Sequence, residues 1–562
     1  MGGLANVSNV PDQRPRSRGV HGARARWCGL AAAAVLLLVP AGCSTARRLE
    51  RLNRRTVGFL DAAQRAEFKG ETPEAIDLDA YTAYTKPDGD GVVHLDLRQT
   101  LAVGARHSRQ YQSAREELYQ SAMALVSAAH DWDWLPTQSL QAMLGRNLNG
   151  PDTTAKADGS VGFNKRLVSG ARLSGSLAFY SLRYLSGSHE LSLNTMANLT
   201  LTAPLLAGSS NLVVREPLTQ AERNLVYALR TYVRQRKSLL IDIADRYYAV
   251  LSALDSLDIA RRSLANLKES RERSEAMAES GRVPLFQVDQ ARQRELDAQS
   301  SLVQREEAYQ SSKDALKEIL GLPLEVPIEL ERTDLARLAA TALPQPSMDF
   351  EQAAAAALEQ RLDWATVNDR LADARRQSKV AADALRARLD LKLAGQASSP
   401  SDDHLRNLAF DKGNYTAELD ADLPFDRTSE IIAYRRALIN EDRQTRTVTQ
   451  EHDRIIADLR NVWRRLKSSE QNYQIQRLSL DLARKRVEST ELLFQAGRVN
   501  IREVLDARDS LIVAENAVTV ALVEHRMNWL RLMYQLEQLP TEPETLWSPA
   551  LALQPPPDGV AP

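Results

Sequence analysis

The sequence predicts a mainly α protein with β, in which a long helical hairpin accompanied by amphipathic strands occurs twice. Three observations carry this. Gly281-Arg282-Val283 and Gly497-Arg498-Val499 recur, each followed at the same offset by an Ala-Arg pair, Ala291-Arg292 and Ala507-Arg508. No proline falls between Pro217 and Pro284 or between Pro424 and Pro540. The apolar period changes from 3.6 to 2 in 136–204, and again in 389–425, as it does where helix gives way to strand.

The repeat means that 562 residues need not be several independent domains. Charged residues are 26% of the chain and aromatics 6%, the composition of long helices and coiled coils. At about 1.5 Å per residue, the roughly 60 to 70 residues before each Gly-Arg-Val span on the order of 100 Å, which is too long and too polar for one compact globule. The net charge is -1. Arg14, Arg16, Arg18, Arg24 and Arg26 all precede Cys43, so no basic stripe is left in the remainder and nucleic acid is excluded as a partner.

Taken in order, 1–42 reads as a signal peptide. The arginine-rich start leads into Leu30–Val39, about ten apolar residues, too short to span a bilayer. Pro40-Ala-Gly-Cys43 resembles a bacterial lipobox, which makes Cys43 the expected lipidated first residue. Pro40 stands where that pattern prefers Leu, and ordinary cleavage near Ala41 is the alternative. Cleavage removes Cys28, so no intrachain disulfide is expected. Residues 43–95 then read as an N-terminal tether with one short helix near Leu49 to Phe68.

The first repeat spans 96–323: a helix over 97–132, strands in 136–204, a long helix, the tip at 281–283 and a shorter helix. A linker, 324–349, leads to the second repeat, 350–540, with a short helix, strands in 389–425, a long helix, the tip at 497–499 and a shorter helix. A Pro-rich tail, 541–562, follows. Ile243, Tyr247, Val250, Leu254 and Leu257 step by 4 and 3 residues, and so do Ile455, Leu459, Val462 and Leu466. That is a narrow seam for lateral helix packing. The strand alternation suits either a half-buried soluble sheet or a membrane strand. Trp132 and Trp134 are expected in core or membrane-interface packing.

The chain resembles the TolC family of outer-membrane efflux proteins over nearly all of its mature length. Leu201-Thr-Ala-Pro-Leu-Leu-Ala-Gly208 with Arg215-Glu-Pro-Leu-Thr-Gln-Ala-Glu-Arg-Asn224 is similar to the family's strand-to-helix junction, with Ala203 where Gln is usual. Asp422-Leu-Pro-Phe-Asp-Arg427 is similar to the same junction in the second half, and Asp245-Arg-Tyr-Tyr-Ala-Val-Leu251 to the aromatic helix segment. The resemblance implies helical hairpins forming an α-barrel and a trimeric transmembrane β-barrel to which each chain gives four of twelve strands; 136–204 offers three or four strand-like runs, more than two strands require, and the surplus is expected as an extra hairpin outside the barrel. It also implies an outer-membrane exit duct of a tripartite efflux or type I secretion system, gated at its periplasmic tips. The implied partners are two further copies in a homotrimer, a periplasmic adaptor, an inner-membrane pump and outer-membrane lipid. Backbone chemistry agrees on oligomerisation, since a few strands with open edges in lipid leave polar groups unpartnered.

A passive conduit needs no reaction centre. The chain carries no His-Glu-x-x-His, Gly-x-x-x-x-Gly-Lys or Gly-x-Ser-x-Gly motif, so no enzyme activity, metal site or cofactor is expected beyond lipid on Cys43. Gly281, Arg282, Val283, Gly497, Arg498 and Val499 are the candidate adaptor-docking turns. The glycines alone could simply end helices, and it is the resemblance that points to docking. Glu503 and Asp506 are three apart on one helix face, where the resemblance implies carboxylates at the tunnel entrance; trimerised, they would form acidic rings able to hold a polyvalent cation. The plainer alternative is a solvated face paired with Arg502 and Arg508. Gln287 and Gln290 stand at the matching first-repeat positions. Phe494 lacks the hydroxyl that a hydrogen-bonded lock would use. The rival reading of the whole chain is a lipid-anchored periplasmic coiled-coil adaptor or scaffold without a channel, although adaptors usually hold one hairpin flanked by compact β domains.

Overall fold

A computed structural model of the chain describes residues 45–68, 92–146, 153–184, 192–399, 408–423 and 425–540. The expected signal peptide 1–42, the expected lipidation site Cys43 and the tail 541–562 lie outside the described residues. The chain divides into two compact units, 1–62 and 63–562. Helix α1, Thr45–Phe68, contains the short helix expected in the tether.

Each repeat opens with a capping box. Asp96 accepts from the Gln99 amide at 2.6 Å while the Gln99 side chain accepts from the Asp96 amide at 3.0 Å. Asp349 and Gln352 do the same at 2.8 and 3.2 Å. These start α2, Leu97–His107, in the first repeat and α7, Phe350–Gln360, in the second. Such caps contribute about 1 kcal/mol each.

The single short helix expected in each repeat is in fact two. α2 gives way to α3, Arg109–His130, at Ser108, and α7 gives way to α8, Leu362–Asp383, at Arg361. Both break residues are extended, with ψ of 127° and 123°. At the first break the backbone of Gly321 comes so close that a Cβ there would lie 2.3 Å from the His107 carbonyl oxygen. Close backbone approach of this kind requires glycine.

The long helices are α4, Asn211–Glu279, and α9, Thr428–Gln495, of 69 and 68 residues. α4 begins six residues before Pro217, which sits inside its second turn and removes one backbone donor there. The shorter partners are α5, Leu285–Leu320, and α10, Ile501–Gln535. The expected seams are real: Ile243, Tyr247, Val250, Leu254 and Leu257 are all buried, as are Ile455, Leu459 and Leu466.

Around the middle of α4 the core thickens into a collar. Two short strands, β1 (Val93–Leu95) and β6 (Ile328–Leu330), pair in parallel. Sequence alone assigns them to the end of the tether and to the linker. β6 leads into α6, Thr333–Ala340. Its Asp334 accepts from Tyr247 Oη at 2.7 Å and from the Leu97 amide at 3.2 Å, and burial pushes the Tyr247 phenol up. Leu101, Tyr247, Leu316, Leu320, Trp529 and Leu530 fill the collar with essentially no exposure. Each such side chain contributes about 1.5–3 kcal/mol.

The main sheet has six strands where the resemblance implied four. β2 (Leu135–Arg146), β3 (Thr153–Arg166), β4 (Arg172–Tyr184) and β5 (Ser192–Pro204) come from the first repeat; β7 (Arg388–Ser398) and β8 (Asn414–Asp422) come from the second. Their order is β2-β3-β4-β5-β7-β8, every pair antiparallel. The extra pair comes from 136–204, whose strand-like sequence exceeds what two strands require.

Candidate functional site at the hairpin tips

Each long helix ends in the same backbone motif. In the first repeat the Gly281 amide donates to the Ala278 carbonyl and the Arg282 amide to the Met277 carbonyl, both at 2.9 Å. In the second, Gly497 donates to Phe494 and Arg498 to Leu493, again both at 2.9 Å. This is the Schellman closure, with glycine at the left-handed position. Gly281 and Gly497 both have φ of +70°, and a Cβ on either would meet open space. Glycine is therefore required by the dihedral and not by crowding.

The tips are alike in backbone and unlike in surface. Gly281 and Arg282 are exposed and Val283 half-buried, as are Gly497, Arg498 and Val499 in turn. Beyond the first tip, Leu285 and Phe286 are 75% and 57% exposed. Beyond the second, Ile501, Val504 and Leu505 are buried with Leu267 and Phe494 in a small cluster. Sequence reasoning separates the tips only by Gln287 and Gln290 against Glu503 and Asp506, and misses the exposed Leu285-Phe286 pair. Its signal is the contrast between two apolar residues after Pro284 and the Ile501-Arg502 pair at the second tip.

Glu503 and Asp506 both lie in the first turns of α10. Glu503 is exposed, without an ion-pair partner among the described residues. Asp506 lies 3.6 Å from Arg294 of α5 and 3.9 Å from Arg502. Arg294 also reaches Asp509 at 3.3 Å, so one guanidinium from the first repeat sits over two carboxylates of the second. Burial pushes the Asp509 carboxyl up; Arg294 pulls it back, and Asp506 and Asp297 add to the rise. Neither Arg294 nor Asp509 is identifiable from sequence, because their meeting depends on how α5 lies against α10. Arg508 takes no part. It donates to Glu491 at 2.9 and 2.6 Å and to the Asn266 carbonyl at 2.9 Å, tying α10 to both long helices. Gln287 is buried and Gln290 exposed. No group of three or more His, Cys, Asp or Glu is placed to hold a metal ion among the described residues.

At the foot of the sheet, Arg166 lies 5.1 Å over the Trp132 ring, and Trp134 meets Phe163 edge-on at 5.3 Å with Lys165 5.7 Å over it. Aromatic and basic side chains gathered at one level suit a membrane–water boundary. No described helix is long and apolar enough to cross a membrane.

Residues 156–322 match the family model for outer membrane efflux proteins. No curated protein matches the sequence. Among solved structures, the chain is similar to the channel CusC, with 16% identity over 81% of this chain and 95% of that one and a TM-score of 0.60. It is similar to the outer membrane protein VceC of Vibrio cholerae, with 15% identity, 78% and 95% coverage and a TM-score of 0.58. The open-state outer membrane channel MtrE of Neisseria gonorrhoeae gives 13% identity, 78% and 88% coverage and a TM-score of 0.58. CusC and MtrE are described as channels and VceC as an outer membrane protein. The efflux-protein family's model thus lies on the first repeat, and the fold of these solved structures extends over most of the chain.

Proposed function

We propose that the chain is one protomer of a trimeric exit duct for efflux, seated in the outer membrane by its sheet, with its helices forming a tunnel through the periplasm. The observation that carries this is the sheet itself. Its strands alternate apolar and polar residues, both edges are unpaired among the described residues, and its foot joins helices on the order of 100 Å long. An open-edged sheet in lipid must be closed by further copies. The tips are then the periplasmic entrance, where an adaptor carrying the chain's connection to an inner-membrane pump docks on Gly281-Arg282-Val283 and Gly497-Arg498-Val499. Gating at that entrance is part of the proposal. So are the acidic ring of Glu503 and Asp506 and the lipid on Cys43.

Reconstitution tests it. The purified full chain should run as a trimer that dissociates on heating, stay in the outer membrane through a carbonate wash, and give discrete conductance steps in planar bilayers. Release by carbonate with no conductance would favour the adaptor reading and overturn this one.

A further inference from the structure

We propose that β3 and β4 are part of the lipid-facing wall, so that each protomer supplies six strands and a trimer closes an eighteen-stranded barrel. The inference rests on the outer-membrane reading above and adds to it the size of the outlet. β2 follows α3 and β5 leads into α4, just as β7 follows α8 and β8 leads into α9. By that correspondence β3–β4 is the hairpin that the second repeat lacks.

Three observations place it in the wall. The ladders on either side run the full strand length: β2 pairs with β3 from Leu135↔Asn164 to Arg146↔Thr153, and β4 with β5 from Arg172↔Thr202 to Leu182↔Ser192. A hairpin that left the wall would have to lose one of them. The apolar face also continues through it. Reading across the register, Val161, Leu177, Ala197 and Ala397 are successive partners, and Leu173, Leu201, Leu393 and Ala417 form a further row on the same face. Val161 in β3 is 61% exposed and Leu199 in β5 is 52% exposed, so the inserted strand presents an open apolar side chain on that face, as the strand common to both repeats does. The opposite face of β3 carries Lys156, Asp158, Ser160 and Asn164, the composition of a wet lumen.

Third, the β3–β4 turn is built into the foot of the sheet. Gly170 in that turn has φ of +85°, and a Cβ there would lie 2.8 Å from Val214 Cγ2, 3.1 Å from the Gly208 carbonyl oxygen and 3.2 Å from Pro204 Cγ. Arg166 Nη2 donates to the Val214 carbonyl at 3.2 Å. The hairpin therefore starts at the level where β5 passes into α4, in line with its neighbours. Strand number allows closure too. With six alternating strands, β8 of one copy meets β2 of the next antiparallel, as an added pair always permits. Barrel diameter grows roughly linearly with strand number, so eighteen strands give about 1.5 times the width of twelve, in the range that leaves an open aqueous channel.

The test places single tryptophans in the full-length chain, Val161→Trp, Leu177→Trp, Leu199→Trp and Ser160→Trp, in vesicles of phosphatidylcholine with brominated acyl chains, and subtracts the native signal. The expected result is loss of emission at 161 and 177 equal to that at 199, with 160 spared. Loss at 199 with 161 and 177 behaving like 160 would overturn the eighteen-strand wall while leaving the outer-membrane reading intact. No loss at any of the four would sink both. If Val161→Trp does not assemble, the smaller Val161→Cys decides the same question: faster reaction with a lipophilic maleimide supports the proposal, and faster reaction with a water-soluble one overturns it.

Discussion

Glu537, two residues past the end of α10, holds Lys237 from the middle of α4 twice over: Nζ lies 2.9 Å from Glu537 Oε1 and 2.9 Å from its carbonyl oxygen. Arg234, one turn earlier, binds the other carboxylate oxygen. Glu537 is the one non-glycine residue at positive φ, +60°, among the described residues. It occupies the left-handed slot of a Schellman closure in which Gln538 donates to the Met533 carbonyl. The expected backbone residue there is glycine, and a carboxylate stands in its place because two buried cations need it.

Two substitutions separate those effects. Glu537→Ala removes the carboxylate and keeps the strained dihedral, with a loss on the order of 3 kcal/mol that falls chiefly on Lys237, because Arg234 keeps Asp363 at 3.4 Å. Glu537→Gly removes both and should be less destabilised by about 1 kcal/mol. Apparent melting temperatures of the purified protein in detergent measure the difference; equal losses would mean that the dihedral carries no strain.

At the tips the cost is conformational only. Gly281→Ala and Gly497→Ala should each cost about 1–2 kcal/mol locally, although nothing is there for the methyl to strike. Hydrogen exchange should quicken at the Arg282 and Arg498 amides, which close the two motifs. Gly→Asn at the same sites should exchange more slowly than Gly→Ala.

The carboxylates of α10 are not equivalent. Because Arg294 and Arg502 already face Asp506, Glu503→Gln should reduce cation selectivity more than Asp506→Asn does. Glu503→Ala with Asp506→Ala should weaken both selectivity and block by a polyvalent cation in planar bilayers. Selectivity and block unchanged in that double variant would remove the acidic ring and leave the duct.

His525 supplies a pH dependence. It is buried, with Nδ1 3.3 Å from Ser469 Oγ, and burial pushes its pKa below the ordinary 6.5. Below pH 6.5 the unfolded chain takes up a proton that the folded chain refuses, so stability is whole above that pH and falls as pH drops toward the lowered value. The slope can reach about 1.4 kcal/mol per pH unit per chain. Thermal unfolding between pH 7.5 and about 5 should show it in the native protein, and His525→Gln should flatten it.

Much of this architecture is legible in residue order, and the parts that are not share a cause. The duplicated Gly-Arg-Val, the proline-free stretches and the 4-3 seams are local signals, and the tips, long helices and buried stripes follow from them. The breaks at Ser108 and Arg361 are invisible, because the first depends on Gly321 approaching from two hundred residues away and neither break residue disfavours helix by itself. β1 and β6 are three residues each, too short for any period. The surplus strands are legible as three or four alternating runs in 136–204, although the resemblance implies only four strands for the whole chain. At the site, Glu503 and Asp506 can be placed on one face by spacing alone, whereas Arg294 and Asp509 need the packing of one repeat on the other.

The parallel pairing of Val93–Leu95 with Ile328–Leu330 sets an order of assembly. The Leu97 amide finds its acceptor in Asp334, 237 positions later, so the start of the collar is satisfied only once the linker has been made. Contacts of such long range are slow to form. Until the whole first hairpin has emerged and doubled back, the beginning of the collar stays exposed, and a chain truncated before residue 330 would have β2–β5 and the first tip but nothing to fasten them at the waist.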